Sequence, residues 1–388
     1  MPYSIDYFGK SMNKYGEELC GDHIETMPIE EGFLVVLSDG LGSGVKANIL
    51  ATLTSKIAIT MLKEGASIEE TIQTIVNTLP ECQVRKLAYS TFTIIKLHYS
   101  GEVYMVEYDN PPAFYYRKNK LFNLIKRKRE VNGKIIYESN FRLNVGDTLT
   151  IVSDGAVHAG VGMTLNLGWQ WEHIAAYLED LVGLCNSSEE VTSNLLGVCA
   201  NLYNQHAGDD TTVLTLKITE RRYIDLFTGP PKNKCDDAKL IEAIRAAKGK
   251  VVLCGGTTAN IVSAAFQEPI HIDLVHYTKE VPPMGRMQGV DLVTEGLLTL
   301  NKTKVLLQDY MNQMAEGGVV HWGEDGASCL ARLLIEDATH VHCWIGQAVN
   351  PAHQNPNLPQ TFNLKNTIMN EIITLLEQMG KNVVSNYL

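Results

Sequence analysis

Leu34-Val35-Val36-Leu37-Ser38-Asp39-Gly40-Leu41-Gly42-Ser43-Gly44 is the stretch on which the reading of this chain turns. An apolar run ends in an acidic residue, and glycines then turn the backbone tightly before a helical pattern begins. Only glycine accepts positive φ and close backbone approach without steric cost. A carboxylate on a strand end beside such a turn is suited to a hard metal ion, which takes oxygen ligands. The same grammar recurs at Ile151-Val152-Ser153-Asp154-Gly155, and acidic residues also stand at Gly21-Asp22 and Gly208-Asp209-Asp210-Thr211-Thr212. A single Asp-Gly is an ordinary turn. Four acidic sites of similar grammar imply carboxylates gathered in space, which repel one another unless protons or cations neutralise them. A pair of Mg2+ or Mn2+ ions resolves that repulsion with oxygen ligands. Neither a GxxxxGK[ST] loop nor an HExxH helix is present, which argues against P-loop and zincin chemistry.

The 388 residues exceed the usual single core, so two domains are expected. An apolar fraction of 45% and a charged fraction of 20% are those of a soluble globular protein. A net charge of −11 argues against broad affinity for nucleic acid or anionic membrane. No secretory signal opens the sequence, and no uninterrupted apolar run reaches the roughly 20 residues needed to span a bilayer. The eight cysteines are scattered without a CxxC pair, as expected of reduced thiols in a cytoplasmic protein.

Residues 3–20 read as a polar lead-in with an edge strand, and 26–37 as two short strands. From 45 to 63 the apolar residues Val45, Ile49, Leu50, Leu53, Ile57, Met61 and Leu62 fall on one helical face. Ser67 with Glu69 and Glu70 marks a capped helix start reaching about Leu79. The period then changes, with β-rich runs at 90–98, 101–108, 113–117, 120–125, 135–143 and 147–152. Helical patterns return at 170–184 and 189–203, and a strand follows at 212–218. This order predicts an α+β domain over residues 1–219, a sandwich of antiparallel sheets flanked by helices. A turn-rich, charged linker is expected over 220–235, containing Gly229-Pro230-Pro231-Lys232-Asn233-Lys234. Residues 236–388 read as a smaller α/β domain. Its helices are expected at 236–248, 257–266, 291–298, 304–314, 327–336 and 362–379, and its strands at 251–254, 271–276 and 340–345.

Taken together, Cys20-Gly21-Asp22, the Leu37–Gly44 stretch, Tyr89-Ser90-Thr91-Phe92, Val145-Gly146-Asp147 leading to Ser153-Asp154-Gly155, and Gly208-Asp209-Asp210-Thr211-Thr212-Val213 resemble a known family. They lie in the order found in the metal-dependent PPM (PP2C-like) serine/threonine phosphatases of the bacterial sporulation-protein-E-like (SpoIIE-type) branch, over residues 4–218. The resemblance implies an αββα sandwich with a two-metal site at one end of the sheets. Asp39 would bridge two Mn2+ or Mg2+ ions, the Gly40 carbonyl would complete one coordination sphere, and Asp154 with Asp209 would hold the other ion. Asp22 would orient the attacking water, so the catalytic pair implied is Asp22 and Asp39, with no covalent phosphoenzyme. Asp210 is expected to be exposed or to support the ligands from behind. Leu41 stands where eukaryotic-type relatives often carry a histidine acid, and their phosphate-binding arginine has no evident counterpart here. His23, beside Asp22, is an alternative acid, with a solvated turn histidine as the plainer reading.

Three further features each have a plain structural reading beside a functional one. The basic run Arg117, Lys118, Lys120, Lys126, Arg127, Lys128 and Arg129 reads as a solvated hairpin or as a docking patch for an acidic phosphoprotein. Gly255-Gly256-Thr257-Thr258 follows a strand and opens a helix, so it reads as an αβ packing turn or as an anion site. His340 and His342 share one face of a strand, as structural histidines or as a metal pair. The leading expectation is a protein phosphatase acting on a bacterial regulatory phosphoprotein, such as an anti-sigma-antagonist-like switch protein, regulated by its C-terminal domain. The alternatives are an inactive scaffold of the same fold and a phosphatase of a small phosphorylated metabolite. Oligomerisation is left open.

Overall fold

The computed structural model describes residues 3–78, 90–316, 321–348 and 364–388. The chain divides into two units, Met1–Glu220 and Arg221–Leu388. Unit 1 runs β1 (Tyr3–Met12), β2 (Asp22–Ile29), β3 (Gly32–Gly40), α1 (Gly44–Lys63), α2 (Ile68–Thr78), β4 (Ser90–His98), β5 (Glu102–Tyr108) and β6 (Phe114–Arg117). It continues with β7 (Lys120–Leu121), β8 (Arg127–Val131), β9 (Lys134–Arg142), β10 (Thr148–Val152), α3 (Asp154–Val157), α4 (Trp171–Leu181), α5 (Ser188–Leu202) and β11 (Thr211–Glu220). Two antiparallel sheets result, one ordered β2-β3-β4-β5-β9-β8 and the other β1-β11-β10-β6-β7.

The αββα order follows from strands buried on both faces. Successive side chains of a strand point to opposite sides, so β3 divides its apolar run between two cores. Val35 and Leu37 face the second sheet, meeting Leu149 and Ile151 of β10 and Leu214 and Leu216 of β11. Leu34 and Val36 face Leu50, Ala58 and Ile59 of α1 and Ile72 and Ile75 of α2. On the far side, Val152 and Val213 pack with Ile174 and Leu178 of α4 and Val191, Leu195 and Cys199 of α5. At the start of α2, the Ser67 hydroxyl accepts from the Glu70 amide at 3.2 Å, and the Glu70 carboxylate accepts from the Ser67 amide at 2.8 Å. This reciprocal capping box satisfies two otherwise orphaned donors.

Two expectations for unit 1 are corrected. The predicted apolar face of α1 is not its buried face: Val45, Ile49 and Leu53 are 60%, 52% and 45% exposed. Ala47, Ala51, Thr54, Ser55 and Ala58 are buried instead, with Leu50 and Ile59. Small side chains let the helix lie close to β3, which displaces the larger ones outward. Among the described residues, α1 is the one helix long and apolar enough to cross a membrane by length and composition. The basic run is not simply solvated. Arg127–Val131 forms edge strand β8, and four of the run's seven cations have partners: Lys126 pairs with Glu107, Arg129 with Glu69 and Glu138, Lys120 with Glu179, and Arg117 with Asp147. Leu79, Tyr89, Cys82 and Phe362 lie outside the described residues. The seven described cysteines are free thiols.

Unit 2 contains β12 (Tyr223–Thr228), α6 (Asp237–Arg245), β13 (Lys250–Cys254), α7 (Gly256–Phe266), β14 (His271–Ile272), β15 (Gly285–Met287), β16 (Val290–Thr294) and α8 (Leu297–Glu316). It ends with α9 (Gly326–Arg332), β17 (His340–Ile345), α10 (Leu364–Gln378) and β18 (Asn382–Tyr387). Its sheet is ordered β14-β15-β16-β13-β12-β17-β18, and β16, β13, β12, β17 and β18 are mutually parallel. Helices α6 and α7 cover one face, packing Leu240, Ile244 and Val262 on Phe227 and Leu253. Helices α8, α9 and α10 cover the other, packing Leu300, Leu330 and Ile372 on Leu226 and Val252.

The expected linker over 220–235 holds β12, the middle one of the five parallel strands. β12 hides in the sequence because Asp225 interrupts its apolar pattern. In the structure Asp225 is 2% exposed, and its Oδ1 is 3.1 Å from both His342 Nδ1 and the donor Trp344 Nε1. The helix expected at 291–298 is likewise a strand, β16, with α8 beginning only at Leu297. The strand expected over 271–276 is only two residues long.

Candidate metal centre

Each sheet of unit 1 brings acidic residues to the site. Asp22 opens β2 and Asp39 lies near the end of β3, and the two are direct cross-strand partners. Like charges placed directly opposite are destabilising, so this register is costly unless something neutralises it. The β3 end is held by Ser90, whose hydroxyl is 2.6 Å from Ser38 Oγ and donates to the Asp39 carbonyl at 2.9 Å. Gly40 is held by a close approach: a Cβ there would collide with the Ala47 carbonyl of α1. Helix α1 thereby sets the height of the Asp39-Gly40 backbone.

From the second sheet, Asp154 begins α3 directly after β10, and Asp209 and Asp210 precede β11. Two bonds staple these strand ends: the Thr212 amide donates to Ser153 Oγ at 2.8 Å, and the Ser153 amide to the Thr212 carbonyl at 3.0 Å. Tyr203 of the segment after α5 donates its buried hydroxyl to the Gly155 carbonyl at 2.8 Å, fixing the turn behind Asp154.

The close spacing of these groups shapes their electrostatics. Burial, then Asp22, Asp154 and Asp209, raises the Asp39 carboxyl well above the ordinary carboxylate range. Asp22 is raised chiefly by burial, with Asp210 and Asp154 adding to it. Burial and Asp154 raise Asp209, opposed by Lys14. Cys20 is pushed up to about 12 by burial and by Asp22. Among the described residues no three acidic, histidine or cysteine side chains stand at closed metal-ligand spacing. The donor set nevertheless suits a hard divalent ion. It is all oxygen, and its members repel one another. Both carboxylate oxygens of Asp22 and Oδ2 of Asp210 are buried without a hydrogen-bond partner.

The sequence-derived residues Asp22, Asp39, Gly40, Asp154 and Asp209 are thus brought to one end of the sandwich. Asp210 is not exposed: it is 4% accessible, and its Oδ1 accepts the Lys14 amide at 3.0 Å. This bond folds the segment between β1 and β2 over the site and delivers a residue that sequence reading missed. Lys14 Nζ lies 3.7 Å from Asp209 Oδ1. No local pattern marks it, because its position depends on a contact 196 residues away along the chain. His23 turns to Glu25, with Nε2 3.1 Å from Oε2. In unit 2, Gly255-Gly256-Thr257-Thr258 forms the β13–α7 turn, and His342 pairs with Asp225 rather than with a second histidine.

Residues 30–219 match the family described as Stage II sporulation protein E, SpoIIE. That match spans 190 of the 388 residues, just under half of the chain. Solved structures to which the chain is similar include the PP2C phosphatase domain and a fragment of the regulatory domain of SpoIIE from Bacillus subtilis. That match is 19% identical, with a TM-score of 0.49, and covers 57% of this chain and 65% of the other, just under two thirds of it. The RsbU and RsbW domains of Rv1364c from Mycobacterium tuberculosis match at 15% identity and a TM-score of 0.46, over 63% and 70% of the two chains. RsbX in complex with magnesium matches at 19% and 0.40, over 55% and 96%. No curated protein matches the chain significantly.

Proposed function

We propose that the chain is a metal-dependent phosphoprotein phosphatase that hydrolyses phosphoserine or phosphothreonine on a bacterial regulatory protein, an anti-sigma-antagonist-like switch protein being the type of substrate expected. The observation that carries this reading is the convergence of Asp22 and Asp39 from one sheet with Asp154 and Asp209 from the other, in a domain that matches the SpoIIE family. Asp39, the Gly40 carbonyl, Asp154 and Asp209 would hold two Mn2+ or Mg2+ ions. Such ions, when bound, supply charge stabilisation for the phosphoryl group and acidify a water.

The chain's own groups do the rest. Asp22, with two unpartnered buried oxygens, accepts a hydrogen bond from the attacking water and orients it. Lys14 sits at the rim, where its ammonium meets the phosphoryl oxygens of an incoming substrate. The buried Ser38–Ser90 and Ser153–Thr212 contacts hold the strand ends in place, so that little reorganisation is needed at the moment of reaction. Unit 2 serves regulation in this reading, consistent with its separate core and sheet.

The test is release of phosphate from phosphoserine and phosphothreonine peptides with added Mn2+, beside nucleotides and sugar phosphates. Peptide hydrolysis that disappears in Asp39→Asn and Asp154→Asn supports the reading. Wild-type rates in those variants refute the site, and a strong preference for sugar phosphates refutes the substrate class.

A further inference from the structure

The parallel strands of unit 2, taken in chain order, are β12, β13, β16, β17 and β18, and in the sheet they lie third, second, first, fourth, fifth. The chain moves outward from β12 on one side and returns to β17 on the other. In open α/β sheets the crevice at the carboxyl ends of the strands flanking such a reversal is where ligands bind. Here the strand-final residues Thr228, Cys254, Thr294 and Ile345 are in register, and a glycine follows each within two residues: Gly229, Gly255, Gly296 and Gly346.

Helix α7 starts at this edge. Gly256 and Thr257 are exposed in its first turn, and no side chain caps it. By contrast, α8 has its first-turn amides taken by its own Glu295, whose carboxylate accepts from Leu298 at 3.0 Å. Gly256 has neither of the usual structural reasons to be glycine. Its φ is not in the left-handed region, and a Cβ there would meet nothing within 4 Å. A second observation is independent of the helix end. Thr258 and Thr228 are both 0% exposed, and their hydroxyls have no hydrogen-bond partner. Such orphaned groups are rare in folded proteins. Thr258 Oγ1 lies 3.6 Å from where a Cβ on Gly255 would be, and the Gly229 amide nitrogen, which donates to the Cys254 carbonyl, lies 3.7 Å from the same point. A Cβ on Gly229 would in turn meet the ammonium of Lys365, which is bonded to the Gly346 carbonyl.

We propose that this edge is a binding site for the phosphate group of a small phosphorylated molecule, received by the α7 amides, the Thr258 hydroxyl and Lys365. The helix start supplies N–H donors and a favourable dipole, and Gly256 allows the anion to approach the backbone.

Calorimetric titration of the full chain in EDTA with pyrophosphate, AMP and ATP tests this, because the metal-dependent reaction of unit 1 is then silent and its assignment does not affect the result. Saturable binding of at least one probe is expected. Thr258→Val should weaken it about fivefold, the loss of one hydrogen bond, without lowering the thermal midpoint, since the hydroxyl it removes is unsatisfied. Gly256→Asp should abolish binding by placing a carboxylate at the helix start. Tighter binding of a nucleotide than of pyrophosphate identifies a nucleotide site, and equal binding identifies a site that reads phosphate alone. Absence of binding by all three probes at millimolar concentration, or binding unchanged in both variants, overturns the proposal.

Discussion

Replacing Asp39 with asparagine should stabilise the metal-free protein and remove its response to metal. Asp39 and Asp22 are direct cross-strand partners, a relation that places Cβ atoms about 5 Å apart. Two unit charges at that distance repel by about 3 kcal/mol at an effective dielectric near 20. Proton uptake by the cluster relieves part of this, so removing one carboxylate should raise apo stability by about 1–2 kcal/mol, or about 2–8 °C for a domain of this size. With Mn2+ at about 100 times its dissociation constant, wild type gains about 2.7 kcal/mol by mass action, and the variant gains nothing. The order of the two proteins should therefore reverse between EDTA and MnCl2. Thermal unfolding followed by circular dichroism under both conditions reads this directly. A variant less stable than wild type in EDTA, with equal shifts on adding Mn2+, would refute the reasoning.

Four further outcomes are expected. Lys14→Met should lower kcat/KM on a phosphopeptide about tenfold, the loss of a charge-assisted contact, with Mn2+ affinity retained; an unchanged kcat/KM removes Lys14 from the site. Tyr203→Phe loses its bond to the Gly155 carbonyl and should cost about 1 kcal/mol in urea unfolding, with weaker metal binding. Gly40→Ala forces a Cβ onto the Ala47 carbonyl and should cost more than about 2 kcal/mol and most of the activity, measurable by denaturation and rate. His340 is held at about 4 by burial and by Arg221. Because its folded pKa lies below the unfolded value of about 6.5, the unfolded chain binds more protons between pH 4 and 6.5. Unit 2 should therefore lose stability as pH falls through that window, by about 1 kcal/mol after allowing for the solvent screening of a half-exposed group. His340→Gln should flatten the dependence.

Strand ends carrying Asp39, Asp154 and Asp209 were legible because their signal is local: an apolar run, an acid, and glycine or threonine at the turn. What was not legible depends on distant contacts. Lys14 gains its role only because its amide bonds to Asp210 across the fold. Helix α1 was placed correctly, yet its buried face was misread, because close packing on β3 selects alanine, threonine and serine over the larger Val45, Ile49 and Leu53. β12 passed for linker because Asp225 sits where an apolar residue would be expected, and its burial is compensated by His342 and Trp344 from another strand. In each case the missing information was which distant residue satisfies a polar group or sets a packing distance.

We propose that carboxylates from two sheets form a divalent-metal site. Titration of the metal-free chain with Mn2+ tests it most directly. Two ions per chain, with binding lost in Asp39→Asn and Asp154→Asn, is the result expected; no binding at millimolar Mn2+, or binding unchanged in both variants, would contradict it.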